Sequence, residues 1–317
     1  MGTPEFAARI LEGLLASSDV RVLCVYTQPD RPAGRGNKLL APPVKALALE
    51  RGLPVRQPET FRSGEAQAEL ASLAPDFLVV AAYGMILPQT VLDIPRCASI
   101  NVHTSLLPAY RGSAPVQRAI MDGVPVTGVS VMRMEAGLDT GPVYSRIEMS
   151  TAGETAGSLL NRMAAAAVPQ LLDVLNRVRE GALEPVPQTG ESCYAAKIAK
   201  AEGHLDVYRP VERVDCHLRG VTPDPGAHVT LELQSGDVSV LLEEVRVVKD
   251  RTGEPGSVLA RKGLLLLACE GGCLSVLRLK PQGKKSMDAA AFLNGLRLNG
   301  PELVQVGRVR PLDANGD

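Results

Sequence analysis

Up to about residue 145 the chain alternates between short, unbroken apolar runs and amphipathic segments. "VRVLCVYTQ" (20–28), "DFLVVAAYG" (76–84) and "ASINVH" (98–103) are apolar over consecutive positions and rich in β-branched residues. Strands covered on both faces need that pattern. "PVKALALERG" (43–52) and "APVQRAIMDG" (114–123) read as helices, each closed by a glycine, the second with Pro near its start. "TGVSVMRM" (127–134) is a further strand. The alternation predicts an α/β domain with a doubly wound, mostly parallel sheet, in which ligands sit at the carboxyl ends of strands.

From Thr151, "TAGE" has a capping-box pattern and the apolar period of a long helix continues to Gly181. Residues 186–204, rich in Pro, Gly and polar side chains, read as an interdomain linker. Beyond residue 205 short β runs separated by turn signals predict a small barrel or sandwich. The expected division is 1–185, 186–204 and 205–317. "MGTPEFAARILEGLLA" opens on a turn and a helix, whereas a strand normally leads into such a turn. The expectation is a short strand ahead of this sequence rather than a fold that begins on a helix.

Composition adds limits. With no Trp, four Phe and six Tyr, the core must rest on Leu, Val, Ala and Ile, and a surface of stacked aromatics for nucleic acid is not expected. The net charge of −1 decides nothing, but residues 246–310 hold twelve basic and five acidic side chains. That excess points weakly to RNA or phosphate, and equally well to a solvated basic face. The six cysteines have no zinc spacing and read as buried thiols in a reducing cytoplasm. No apolar run approaches membrane-spanning length, and no signal peptide is evident. Nothing demands more than a monomer, and nothing suggests DNA.

Chemistry concentrates at one strand end. Asn101 and His103, two residues apart in "INVHTSLLPAYRG", share a face of an extended chain. Thirty-six residues after His103, "EAGLDTGPV" sets Asp139 between Gly137 and Gly141. If neighbouring parallel strands place their loops side by side, Asp139 reaches His103. Asn, His and Asp at one crevice suit acyl transfer: an oxyanion donor, a proton carrier and a group that orients it. Alternatives stay open at this level. The pair could bond loop carbonyls, or Ser105 could be a nucleophile, although no G-x-S-x-G elbow occurs. A metal site lacks a third ligand, and "AGRGNK" fits neither a dinucleotide nor a phosphate loop.

"INVHTSLLPAYRG", "GLDTG", "YTQPDRPAGRGNKL" and "MGTPEFA", with "YAAKI", "PDPGA" and "GKKSM" later, resemble the folate-dependent formyltransferase family over almost the whole chain. The long "QPDRPAGRGNKLLAPPVK" loop and the basic second half point to its tRNA-directed members. The resemblance implies a Rossmann-like catalytic sheet and an OB-like barrel that binds tRNA. It implies transfer of the formyl group of 10-formyltetrahydrofolate to the α-amine of methionine on initiator tRNA, with no metal. Asn101 would bind the formyl oxygen, His103 would stabilise the oxyanion and relay protons, and Asp139 would hold His103 and a water. Ser105, Leu106, Leu107 and Pro108 would line the folate site, with Tyr83, Met85, Ile86, Leu87, Thr140 and Gly141 meeting the pterin through backbone groups. Arg31, Arg35 and Lys38 would grip the acceptor stem, and Lys284 and Lys285 the tRNA body. The chain departs from the family at its start, where the usual first strand is absent, at Val207, where an aromatic is common, and in "TPDPGA", which usually has Trp between the prolines. A formyltransferase for a small amine and a formyl-folate hydrolase remain the alternatives.

Overall fold

The computed structural model describes residues 1–33, 38–62, 64–296 and 303–312. The chain divides into two compact units. The first holds residues 1–116, 126–150 and 158–197, and the second 117–125, 151–157 and 198 onward.

In the first unit the strand Ala98–His103, buried at all six positions, is the organising element. It pairs in parallel with Phe77–Val80 and antiparallel with Val126–Arg133, which pairs antiparallel with Val143–Ser150. Val25–Tyr26 and Val55–Arg56 form a separate parallel pair. The Rossmann-like sheet is therefore parallel on one side of Ala98–His103 and antiparallel on the other. The turn after Arg133 returns the chain directly as a hairpin, a connection open only to antiparallel neighbours. Val143–Ser150 escaped the sequence reading because polar residues interrupt "VYSRIEMS", as suits a strand whose outer positions are only partly covered.

Helices form over Pro43–Glu50, Pro115–Asp122 and Ala156–Arg179. Each is followed by a glycine at positive φ (Gly52, Gly123, Gly181), which takes the left-handed turn at little cost. The "TAGE" segment does not start the long helix. The Thr151 hydroxyl instead donates to the Val124 carbonyl at 2.5 Å, and the helix begins at Ala156.

Only Val25–Tyr26 of the expected 20–28 strand is paired. The residues before it border a cavity of about 510 Å³, lined by apolar side chains including Ile10, Leu14, Leu70 and Leu78. Met1 and Gly2 lie beside it. Gly2 donates its N–H to Tyr26, Met1 accepts from the N–H of Ala81, and the Met1 ammonium donates to the Val79 carbonyl at 2.6 Å. Burial pushes that ammonium down to about 5.

In the second unit six antiparallel strands close a barrel: Ala227–Leu233, Gly236–Val248, Ser257–Arg261, Leu264–Cys269, Gly272–Pro281 and Val304–Val309. Closure comes from Gly236–Val248, long enough at 13 residues to pair with both Ala227–Leu233 and Gly272–Pro281. Val207 is fully buried in this core, and the aromatic next to it, Tyr208, donates its hydroxyl to the Val309 carbonyl at 2.9 Å. Among the described residues no helix is long and apolar enough to cross a membrane.

Candidate active site

Ala98–His103 carries Asn101 and His103 on the same face, as the two-residue period requires. Their cross-strand partners are Met132 and Ser130. Both polar side chains are nearly buried, at 9% and 6% exposure, so their hydrogen-bond partners decide what they can do. His103 Nε2 lies 2.9 Å from the Tyr110 carbonyl oxygen. A carbonyl only accepts, so Nε2 carries a hydrogen, and Nδ1 is the nitrogen left to take up or give a proton. Nδ1 faces Asp139 Oδ1 at 3.7 Å.

Asp139 arrives by a route the sequence reading did not foresee. Its loop follows a strand antiparallel to Ala98–His103, so no pair of parallel strands sets the two loops side by side. The hairpin turn between Arg133 and Val143 folds back over the strand instead. Asp139 sits at φ 52° in the left-handed region. Gly141 packs so tightly on the Arg133 carbonyl that any Cβ would collide with it. The Asp139 carboxylate is then fixed from two sides: Gly112 N–H donates to Oδ2 at 2.9 Å, and Asn101 Nδ2 donates to Oδ1 at 3.3 Å. The structure thus brings Asn101, His103 and Asp139 together around one carboxylate oxygen.

Ser105 and Leu107 turn inward. The Ser105 hydroxyl donates to the Ala109 carbonyl at 2.6 Å, and its own carbonyl accepts from the Ser130 hydroxyl at 2.7 Å. Leu107 packs with Met132 and Val143. Leu106 and Pro108 are half-buried, whereas the Leu107 N–H donates to Ser130 Oγ at 3.1 Å and the Leu107 carbonyl accepts from Arg146 Nε at 3.2 Å. Tyr83 and Leu87 are buried, Met85 is half-buried, and Ile86 is 85% exposed. Tyr83 stacks its edge on Phe61, which also touches Tyr26, with ring centroids at 6.4 and 5.7 Å. That cluster supports a turn in which Ala82 and Gly84 both have positive φ. Thr140 is exposed.

Arg31–Ala33 and Lys38–Leu40 pair as a small hairpin. Arg35 lies outside the described residues, and Lys38 takes part through its backbone. The hairpin's base is held by a polar network absent from the sequence reading. Lys45 Nζ donates to both Asp30 oxygens at 2.9 and 2.7 Å, and Gln57 Nε2 donates to Asp30 at 2.7 Å. These bonds hold the Asp30 carboxyl below its ordinary range. Arg31 donates to Gln28 Oε1 at 2.6 Å while Gln28 Nε2 donates to the Gly84 carbonyl at 2.5 Å. In the second unit Lys284 and Lys285 are exposed on the turn after Pro281.

Residues 186–195 were also missed, because their composition reads as a tether. Val186 exchanges two backbone hydrogen bonds with Val143, and Tyr194–Ala195 pairs in parallel with Arg111–Gly112. Between these anchors Gln188 bonds both Arg111 and the Asp139 turn. No periodicity or motif marks a lone Gln in "PVPQTG". Among the described residues no group of three or more His, Cys, Asp or Glu side chains could hold a metal.

Comparison with known proteins bears on the family of the whole chain. A family model described as "Formyl transferase" matches residues 1–175, and "Formyl transferase, C-terminal domain" matches 197–297. A methionyl-tRNA formyltransferase of Pseudomonas fluorescens (strain SBW25) is 46% identical over 299 residues, covering 93% of this chain and 92% of that protein. One from Ruegeria pomeroyi is 45% identical over 296 residues, covering 93% and 95%. Among solved structures, the N-formyltransferase from Helicobacter canadensis, complexed with folinic acid and dTDP-3-aminofucose, matches with a TM-score of 0.61 at 14% identity, covering 87% of this chain and 96% of that one. HypX from Aquifex aeolicus, complexed with tetrahydrofolic acid, matches at 0.59 and 20% identity, covering 83% and 47%. At such identities these two matches speak for the fold alone. The two family models and the nearly full-length relatives together show that the chain belongs to the methionyl-tRNA formyltransferase family.

Proposed function

We propose that this enzyme transfers the formyl group of 10-formyltetrahydrofolate to the α-amine of methionyl-tRNA, as a single chain in the cytoplasm, with Asn101, His103 and Asp139 at the reacting centre. The observation that carries this reading is the convergence of Asn101 and His103 on Asp139 Oδ1 beside an ordered turn. The methionine amine attacks the formyl carbon, so a C–N bond forms and the carbonyl oxygen becomes an oxyanion. Asn101 uses one Nδ2 hydrogen on Asp139, and its other hydrogen is the donor for that oxyanion. The attacking amine must lose a proton and the departing folate nitrogen must gain one. His103 Nδ1, with the Asp139 carboxylate 3.7 Å away, is placed to carry it. No covalent enzyme intermediate is required, because the acceptor amine is itself the nucleophile.

The folate would lie along Leu106 and Pro108, on a turn that Ser105 and Leu107 anchor from within through Ser130 and Arg146, with the turns at Tyr83–Leu87 and Thr140–Gly141 meeting its ring. Arg31, Arg35 and Lys38 would grip the acceptor end of initiator tRNA, and Lys284 and Lys285 its body, through phosphates. Supporting that division, Arg31 is exposed on a hairpin whose base is pinned by Asp30, Lys45 and Gln57. His103→Ala tests the reading: it should cost roughly 10²–10⁴ in rate with the fold intact. A rate near that of the wild type would remove His103 from the chemistry.

A further inference from the structure

We infer that Gln188 is a positioning residue for this reaction: its side-chain amide holds the Asp139 turn against Arg111 and so sets where the Asp139 carboxylate stands. The inference rests on the formyl-transfer reading given above.

Gln188 Nε2 donates to the carbonyl oxygens of Asp139, at 2.8 Å, and Gly141, at 2.7 Å. Its Oε1 accepts from Arg111 Nε at 3.2 Å and from the guanidinium NH2 group at 2.7 Å. A primary amide has two donor hydrogens and an oxygen with two lone pairs, and all four are used here. The orientation of the amide follows from chemistry: two carbonyls can only accept and a guanidinium can only donate, so a flipped amide would lose every bond.

The two sides that Gln188 joins are the two that hold Asp139. On one side is the Asp139 turn itself, at a positive φ that a non-glycine residue keeps only when its surroundings enforce it. On the other side is Arg111–Gly112, whose Gly112 N–H donates to Asp139 Oδ2 at 2.9 Å. The segment bearing Gln188 is itself tied to both, through Val186 to Val143 and through Tyr194–Ala195 to Arg111–Gly112. Gln188 touches neither Asn101 nor His103 by any bond described, so its influence on them runs through Asp139.

Two substitutions separate this role from simple anchoring of Arg111. Gln188→Ala removes both halves of the amide. Gln188→Glu keeps the acceptor oxygen that Arg111 uses but sets its other carboxylate oxygen against two carbonyls, which pushes the Asp139 turn away. The experiment uses the full chain and measures kcat, KM for each substrate, melting temperature, and hydrogen exchange at the Gly112 amide. Each Gln188 variant is made in the wild-type and in the Asp139→Asn background.

The expected result is a fall in kcat of about 10- to 100-fold for Gln188→Ala, with KM nearly unchanged and a larger fall for Gln188→Glu. In the Asp139→Asn background Gln188→Ala should cost less than about threefold, because the group it positions is already disabled. Faster exchange at Gly112 should accompany the loss. Gln188→Glu near wild-type activity, or an equal loss in both backgrounds, would overturn the inference. If the wild type moves no formyl group to methionyl-tRNA, the functional reading fails instead, and exchange at Gly112 still decides whether Gln188 positions Asp139.

Discussion

Replacing Asp139 by Asn changes charge at the site while leaving shape almost untouched. Asn accepts the left-handed backbone at φ 52° as readily as Asp does. The carboxylate now receives Gly112 N–H on Oδ2 at 2.9 Å and Asn101 Nδ2 on Oδ1 at 3.3 Å, with His103 Nδ1 at 3.7 Å. Gly112 N–H can only donate, so the new amide must turn its oxygen toward Gly112 and its NH2 toward Asn101 and His103. Asn101 then loses its acceptor, a hydrogen bond to a charged group worth about 1.5–3 kcal/mol. A proton arriving at His103 loses a facing charge at that distance, an attraction of roughly 4 kcal/mol at an effective dielectric constant near 20. These effects overlap, so a barrier increase of about 2–4 kcal/mol is the expected total, or roughly 30- to 1,000-fold in kcat. Single-turnover transfer at saturating substrates measures it, with thermal melts as the control. A kcat within about threefold of wild type would refute the claim that the Asp139 charge serves the transition state.

Other expectations follow from separate parts of the molecule. In a chain expressed from Met1 and confirmed intact by mass, the buried ammonium has a folded pKa near 5 against an unfolded value of 8.0. The unfolded chain binds the extra proton between those values, so this contribution is complete above pH 8 and is lost as pH falls toward 5, by roughly 4 kcal/mol in all. Urea melts should show that slope, and N-terminal acetylation should remove it. Gly141→Ala forces a methyl group into the Arg133 carbonyl and should cost about 1–3 kcal/mol of stability, together with much of the activity, read by melts and kcat. Arg31→Ala and Arg35→Ala should each raise KM for tRNA and lower the salt slope by about one unit, while folate binding stays as it was.

The buried strand was legible in the sequence to the residue: six consecutive covered positions leave "ASINVH" little other identity. The pairing of Asn101 with His103 followed from the strand period alone. Asp139 is a neighbour of His103, as the sequence suggests, but not through parallel strands, because apolar runs do not reveal strand direction and the partner strand is antiparallel. Gln188 and the Gln28–Asp30–Lys45–Gln57 network were invisible, since each depends on polar atoms meeting across the fold rather than on local pattern. The 20–28 run shows a different limit. Its apolar character is real, but beyond Val25–Tyr26 it borders a cavity, and a strand needs a partner to be one.

In the proposed reaction an amine on tRNA, and neither water nor a small amine, receives the formyl group. Formyl-labelled 10-formyltetrahydrofolate supplied with methionyl-tRNA, with free methionine, or with buffer alone tests it most directly. The expected outcome is label on the methionine of the tRNA, with little on free methionine and little formate from buffer. Equal transfer to free methionine, or release of formate without any acceptor, would contradict transfer to the tRNA-borne amine.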